Sequence, residues 1–165
     1  MMSYWLVKSE PEECGLSHFL AAGQRGIPWD GVRNYQARNF LRDMQVDDSV
    51  LLYHSSCRDV GLVGTLRVTS DPYPDPLQFD VSSHYFDAKA TPENPRWTAV
   101  NLSLLAPLAR LVPLSELKSS LAFADSPLTA KGARLSVMPL TRIQWQVACQ
   151  LAENEWAKWL KSLLA

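Results

Sequence analysis

The chain is short of the residues that usually announce chemistry. Only three cysteines, Cys14, Cys57 and Cys149, and three histidines occur in its 165 residues. Three widely separated cysteines cannot pair completely, which argues against a disulfide framework and for idle or buried thiols in a reducing compartment. No CxxC or HxxxH spacing is present, so the sequence offers no metal centre. A Walker A loop is absent, and Gly61-Leu-Val-Gly64 does not extend to GxGxxG, so no nucleotide cofactor has a signature. No apolar run reaches membrane-spanning length, and no charged n-region followed by an apolar h-region opens the chain. The expectation is a cytoplasmic protein with no cofactor, no metal and no membrane partner.

An excess of either charge is also missing: 16 Lys and Arg stand against 17 Asp and Glu, a formal net charge of −1. This excludes a strongly basic nucleic-acid coat, but net charge averages over local patches. The charges are unevenly placed. Residues 1–70 carry 7 basic and 8 acidic side chains, residues 71–95 carry 1 and 5, and residues 96–165 carry 8 and 4. An acidic segment therefore lies between two segments that can each supply cations to a groove. With 47% hydrophobic and 20% charged residues, the composition is that of an ordinary globular domain long enough to bury a core.

What is present reads as alternating short elements. "YWLVKS" (4–9) sets Tyr4, Leu6 and Lys8 against Trp5, Val7 and Ser9, the period of a strand, and "SEPEE" breaks it. "LSHFLAAG" (16–23) predicts a short helix with Ser17 as N-cap, Gly23 at its end and Leu16 stapled onto Ala21. Asn34 predicts a second N-cap, followed by Ala37, Phe40, Leu41 and Met44 at helical spacing. "SVLLYHSS" (49–56) and "VGLVGTLRVTS" (60–70) read as strands, with Gly61 and Gly64 marking a bulge or a close backbone approach. Residues 71–95 hold five prolines and no periodicity, the signature of a functional or disordered loop. Phe79, Tyr85 and Phe86 argue against disorder.

"RWTAVNLSLLAPLARLVPL" (96–114) predicts one long strand, open to division after Pro107. "LSELKSSL" reads as a helix capped by Ser115, and "RLSVMPL" (134–140) as a strand. Thr141 and Gln144 have capping-box spacing before a stripe of Trp145, Ala148, Ala152, Trp156, Trp159 and Leu163. No internal repeat or linker divides the chain. The residues predict one α+β domain built on a mixed, strongly curved sheet or small barrel.

The chemical candidates are few. His54 and Cys57 in "YHSSC" have the residue types of a nucleophile pair, but no nucleophile elbow or orienting acid accompanies them. A strand-end histidine beside an incidental cysteine is the preferred reading. "KGAR" (131–134) and "EPEE" read as surface turns, the C-terminal tryptophans as helix packing, and Arg38 and Arg42 alone as a solvated face. "WDGVRNYQARNFLRDM" (29–44) differs as a group. Trp29 sits in a Pro-Trp-Asp-Gly turn that no periodic element buries. Asn34, Tyr35 and Arg38 lie at a helix start, whose free amides and dipole favour anions. Polar tips at strand ends, Ser9, Ser55, Ser56 and Ser136, are placed to converge there. An aromatic wall with amide and hydroxyl groups suits a flipped or single-stranded base, stacking being worth about 1–3 kcal/mol. Trp29 as a core plug under a loop remains the alternative.

Seven ordered stretches, "YWLVKSEPEE", "W-x-GVRNYQARNFLRDM", "LLYHSS", "GLVG", "YPDPLQFD-x-x-SHYFD", "PRW" and "RLSVMPLT", together resemble the EVE domain family over about residues 3–146. The resemblance implies a PUA-like fold, a small curved β-barrel with surrounding helices, related to the YTH domains. It further implies a non-catalytic reader that extrudes a modified base of DNA or RNA, such as a methylated or hydroxymethylated cytosine, into an aromatic and polar pocket. Carried over by motif, Trp29 would be the aromatic wall, with Ser9, Glu10, Asn34 and Tyr35 at its rim or floor. Tyr53, His54, Ser55, Leu135 and Ser136 would complete it, and Arg33, Arg38, His84 and Arg134 would contact the nucleic-acid backbone. Residues 1–165 would form one domain, with 147–165 a C-terminal helical extension. The chain departs from the family at Asp48, where glycine is usual before the strand, and at Lys131 and Ala133 in "KGARLSV". Two rival functions stand beside this: an enzyme acting on nucleic acid or a small metabolite through His54, and a module that binds a protein partner through the C-terminal helix.

Overall fold

The computed structural model of the chain describes residues 2–153 and 162–165. Its frame is a curled mixed sheet, a half-barrel, with short helices on both faces. The strands are β1 (Tyr4–Ser9), β2 (Ile27–Trp29), β3 (Ser49–His54), β4 (Gly61–Val68), β5 (Tyr73–Pro74), β6 (Thr98–Pro113) and β7 (Val137–Leu140). The helices are α1 (Pro11–Cys14), α2 (Leu16–Ala22), α3 (Tyr35–Asp43), α4 (Leu114–Lys118) and α5 (Arg142–Leu151). The sheet order is β2-β6-β4-β3-β1-β7, with β5 also paired to β6. Only β1 and β3 run parallel among these pairs.

Strand alternation builds two cores. Trp5, Val7, Val50 and Leu52 face one side, where Phe19 of α2 and Ala37, Leu41 and Met44 of the α3 segment cover them. Leu6, Leu51 and Tyr53 face the other, beneath Leu117 of α4, Phe123 and Ala148 of α5. Because both faces are covered, β3 is an almost unbroken apolar run. Ala152 belongs to the second core as well, so the chain still packs on the domain just beyond α5. The stripe positions Trp156 and Trp159 lie outside the described residues.

The curl originates where the strand register slips. The β4–β6 pairing shifts between Leu62 and Gly64 and again between Thr65 and Leu66, as extra residues bend and twist a strand. β6 continues through Pro107 as one 16-residue strand, pairing first with β5 and β2 and then with β4. Gly61 lets the two backbones touch: a Cβ there would fall 2.2 Å from the Val112 carbonyl oxygen. Gly61→Ala is expected to destabilise the fold by about 1–3 kcal/mol through this overpacking, which a urea melt would measure; unchanged stability would mean that β6 shifts freely.

Two local expectations, both helix caps, are corrected. The N-cap of α2 is Gly15, whose amide donates to His18 Nδ1 at 2.9 Å, so Ser17 and Leu16 lie inside the helix. Helix α4 is preceded by Pro113, with Ser115 in its first turn. The left-handed conformation before β3 falls on Asp47 (φ 76°), and Asp48 is instead a buried hub. Its carboxylate accepts hydrogen bonds from Trp5 Nε1 (2.9 Å), the Ser3 amide (3.1 Å) and the Gln45 amide (3.0 Å), so a glycine there could not hold the start of β1. Asn34 caps α3 by accepting from the Ala37 amide at 2.9 Å, and Thr141 with Gln144 forms the capping box of α5.

Candidate functional site

Strand register alone gathers three serines at one rim. Ser9 ends β1, and because β3 runs parallel to it the Ser55 amide donates to the Ser9 carbonyl at 2.9 Å. β7 runs antiparallel on the other side, and the Lys8 amide donates to the Ser136 carbonyl at 2.8 Å. Facing these ends is the exit of β2, where Trp29 pairs with Val100 of β6; it therefore closes a short strand rather than lying in a free turn. Between the two walls is a cavity of about 280 Å³, below the range of about 300–1,000 Å³ that accommodates drug-sized ligands.

Trp29 is 5% exposed and belongs to the first core, where its ring stacks on Phe19 with centroids 6.3 Å apart, yet it also lines the cavity. It is thus a core residue that also presents part of its surface to the cavity. The turn behind it is held from a distance. Asp75, whose side chain is fully buried, accepts from the Gly31 amide (2.9 Å), the Leu77 amide (2.8 Å) and Arg33 Nη1 (2.9 Å). Arg33 spends its remaining nitrogens on the Tyr85 carbonyl, at 3.1 and 2.8 Å. Gly31 has φ 73°, and a Cβ there would meet the Tyr85 ring at 3.0 Å, so both backbone and space require glycine. The Tyr85 hydroxyl in turn donates to the Glu13 carboxylate of α1. Segment 71–95 is thus ordered through buried polar contacts, Gln78 adding bonds to the Asp75 and Trp97 carbonyls.

The cavity's electrostatics follow from this packing. Burial raises the Asp30 carboxyl above its ordinary range, with Asp75 and Glu13 adding to the effect and Arg33 opposing it. Among the described residues, no other residue donates a hydrogen bond to the Asp30 side chain. The Cys14 thiol is pushed up to about 11, first by burial and then by Asp30 and Glu13, so it is protonated and no nucleophile at neutral pH. The hydrogen bond to Glu13 is the main cause that pushes Tyr85 up to about 12. Burial lowers Lys8. The cavity offers an aromatic surface, hydroxyls and carboxyls, a chemistry suited to a planar ligand with N–H donors.

Of the residues picked out from sequence, Ser9, Glu10, Trp29, Arg33, Ser55 and Ser136 line this cavity. The others lie elsewhere. Asn34 is spent on its cap, and Tyr35 is 49% exposed and stacks on Trp97 with centroids 5.0 Å apart. Tyr53 is in the second core, Leu135 packs between the two cores, and Ser56 and Arg134 are exposed. His84 is exposed and meets Tyr85 edge-on. Arg38 belongs to the face of α3 described below. His54 Nε2 accepts from the Leu16 amide at 3.1 Å and supports the start of α2; burial lowers its pKa, Glu12 opposing. The cavity also takes Lys8, Glu13 and Gly31 from within the quoted motifs, Asp30 from the variable position after Trp29, and Tyr85 of the SHYFD motif, which no local pattern joins to Trp29.

Among the described residues no group of histidine, cysteine and carboxylate side chains is arranged to hold a metal, and no helix is long and apolar enough to cross a membrane. The sequence model for the EVE domain matches residues 3–151. The chain is 35% identical to mouse thymocyte nuclear protein 1 over 171 residues, covering 94% of this chain and 76% of that protein. A crystal structure of a Pseudomonas putida protein is similar with a TM-score of 0.88 and 46% identity, covering 92% of this chain and all of that one. A crystal structure of human THYN1 protein in complex with DNA containing 5-methylcytosine has a TM-score of 0.84 and 35% identity, covering 93% and 99% of the two chains. A YTH domain from Zygosaccharomyces rouxii, at 14% identity and a TM-score of 0.54, shares the fold.

Proposed function

This chain belongs to the EVE domain family, and on that premise we propose that it is a non-catalytic reader of a modified base in nucleic acid, with 5-methylcytosine in DNA as the first candidate. The carrying observation is the cavity between Trp29 and the serine rim, in a chain 35% identical to a protein bound to DNA containing 5-methylcytosine. An extruded base would stack on Trp29. Ser9, Ser55 and Ser136 carry hydroxyls that both donate and accept, and so suit a base edge. Asp30 is the natural partner of an exocyclic amine, since carboxylates accept from cytosine N4. The protonated thiol of Cys14 and the engaged lone pair of His54 weigh against an enzyme. The cytoplasmic setting, and residues 1–165 as one domain extended by 147–165, belong to the same proposal.

The test is a fluorescence titration of DNA and RNA oligonucleotides that differ only in one methylated, hydroxymethylated or unmodified cytosine. Saturable, modification-dependent binding without turnover is expected. Turnover with a His54-dependent limb in its pH profile would overturn the proposal in favour of an enzyme.

Asp30→Asn has an expected result of its own. Because the folded-state pKa of Asp30 is raised, its native contribution is fullest below the ordinary aspartate value of 3.8 and is lost as pH rises through the folded value. The variant should therefore melt higher than wild type at neutral pH, and the gap should close below pH 3.8. It should also lose about 1–3 kcal/mol of discrimination for a cytosine-type edge. An unchanged melting temperature across pH would exclude the burial effect, and unchanged discrimination would exclude the base contact.

A further inference from the structure

The exposed face of α3 carries a basic cluster outside the cavity. Arg38 Nη1 and Arg42 Nη2 converge on one acceptor, the Arg96 carbonyl, at 3.0 and 3.5 Å. Asn39 also accepts from Arg38, and Thr98 Oγ1 accepts from Arg42 Nε at 3.0 Å, so both guanidinium planes are oriented by neutral groups. Arg96 is itself held by Asp87 at 3.1 Å. Among the described residues neither Arg38 nor Arg42 lies within ion-pair distance of a carboxylate. Like charges are thus held together without neutralisation, which costs self-repulsion and favours an anion.

The cluster is backed by aromatics and leads to the cavity. Tyr35 stacks on Trp97, and the Arg38 guanidinium lies 4.7 Å from the Tyr35 ring centroid. Arg33 stands between the two regions, 5.4 Å from the Trp97 ring and 5.5 Å from that of Tyr85, which lines the cavity. On the far side, Arg42 borders a groove of about 220 Å³ shared with Tyr73 and Trp97. Oriented guanidinium forks match phosphate oxygens in a way that compact ammonium groups do not. Arg33, whose charge is already paired with the buried Asp75 carboxylate at 2.9 Å, is unsuited to that task.

We propose that Arg38 and Arg42, with Arg96 behind them, form a phosphodiester-binding track that carries the nucleic-acid backbone flanking the base in the cavity. This rests on the reader function proposed above and adds a surface that supplies affinity without reading sequence. Continuity with the cavity favours a nucleic-acid strand over an acidic polypeptide.

The test compares wild type, R38Q/R42Q and R38K/R42K on duplex oligonucleotides with and without 5-methylcytosine, from low to moderate salt. Removing two phosphate contacts should lower the slope of log K against log salt by about 1.8. It should weaken both oligonucleotides alike and keep their ratio, while the lysine pair should retain most of the slope. Circular dichroism and melting curves confirm that each variant is folded. An unchanged slope in folded R38Q/R42Q overturns the track, even where methylation dependence persists and the reader stands. A reduced slope in a protein blind to methylation keeps the track and overturns the reader. Weakened binding to polyglutamate with an unchanged oligonucleotide slope overturns the track in favour of an acidic protein partner.

Discussion

Arg33→Met is expected to destabilise the protein by about 3–5 kcal/mol, because it strands the charge of a fully buried carboxylate. Asp75 would keep the Gly31 and Leu77 amides but lose its cation. In a domain of this size that loss lowers the melting temperature by on the order of 10 °C. The damage should be local as well. The turn that places Trp29 and Asp30 would lose its tether to segment 71–95, so folded Arg33→Met should bind the modified oligonucleotide more weakly. The double variant Arg33→Met with Asp75→Asn removes both charges and should recover much of the stability, giving a strong coupling in a double-mutant cycle. Additive losses would show that the two side chains act separately.

Trp29→Ala should lower affinity for the preferred oligonucleotide by about 1–3 kcal/mol, the worth of one stacked base. The same change opens the first core beneath Phe19 and should cost about 3–5 kcal/mol of stability. Because folding and binding would fall together, Trp29→Phe is the informative companion: it keeps an aromatic face toward Phe19 and the cavity. Binding measured at a temperature where all three proteins are folded should rank wild type, then Trp29→Phe, then Trp29→Ala. The salt slope should stay constant, since no phosphate contact changes. Equal affinity in folded Trp29→Ala would confine Trp29 to a packing role.

The elements with the clearest local signals were legible in the sequence. Alternation placed β1, helical spacing placed α3, and side-chain chemistry marked the caps at Asn34 and Thr141. Motif resemblance anticipated the family, and with it the curled sheet. The errors arose where local signals compete. Ser17 looked like a cap because serine often is one, but the Gly15 amide found His18. Trp29 looked like part of a turn because strand β2 has only three residues, too few for a period to show. The hub role of Asp48 left no local sign because its partners Ser3 and Trp5 lie more than 40 residues away.

By itself, then, the sequence determined the order and type of most elements, because periodicity and capping are written within a few residues, and its ordered motifs carried the resemblance to the family. Tertiary structure decided which of those residues share a cavity. Ser9, Ser55 and Ser136 meet only through the parallel pairing of β1 with β3 and the antiparallel return of β7. Asp75 and Tyr85 reach the Trp29 turn through hydrogen bonds spanning 42 to 52 residues, which leave no pattern along the chain. The α3 arginines, four residues apart and unremarkable as a solvated face, become a charged cluster because β6 brings the Arg96 carbonyl and Trp97 beneath them. Such contacts depend on which strands pair and in what register, and that is settled by burial over the whole sheet rather than by any short stretch of residues.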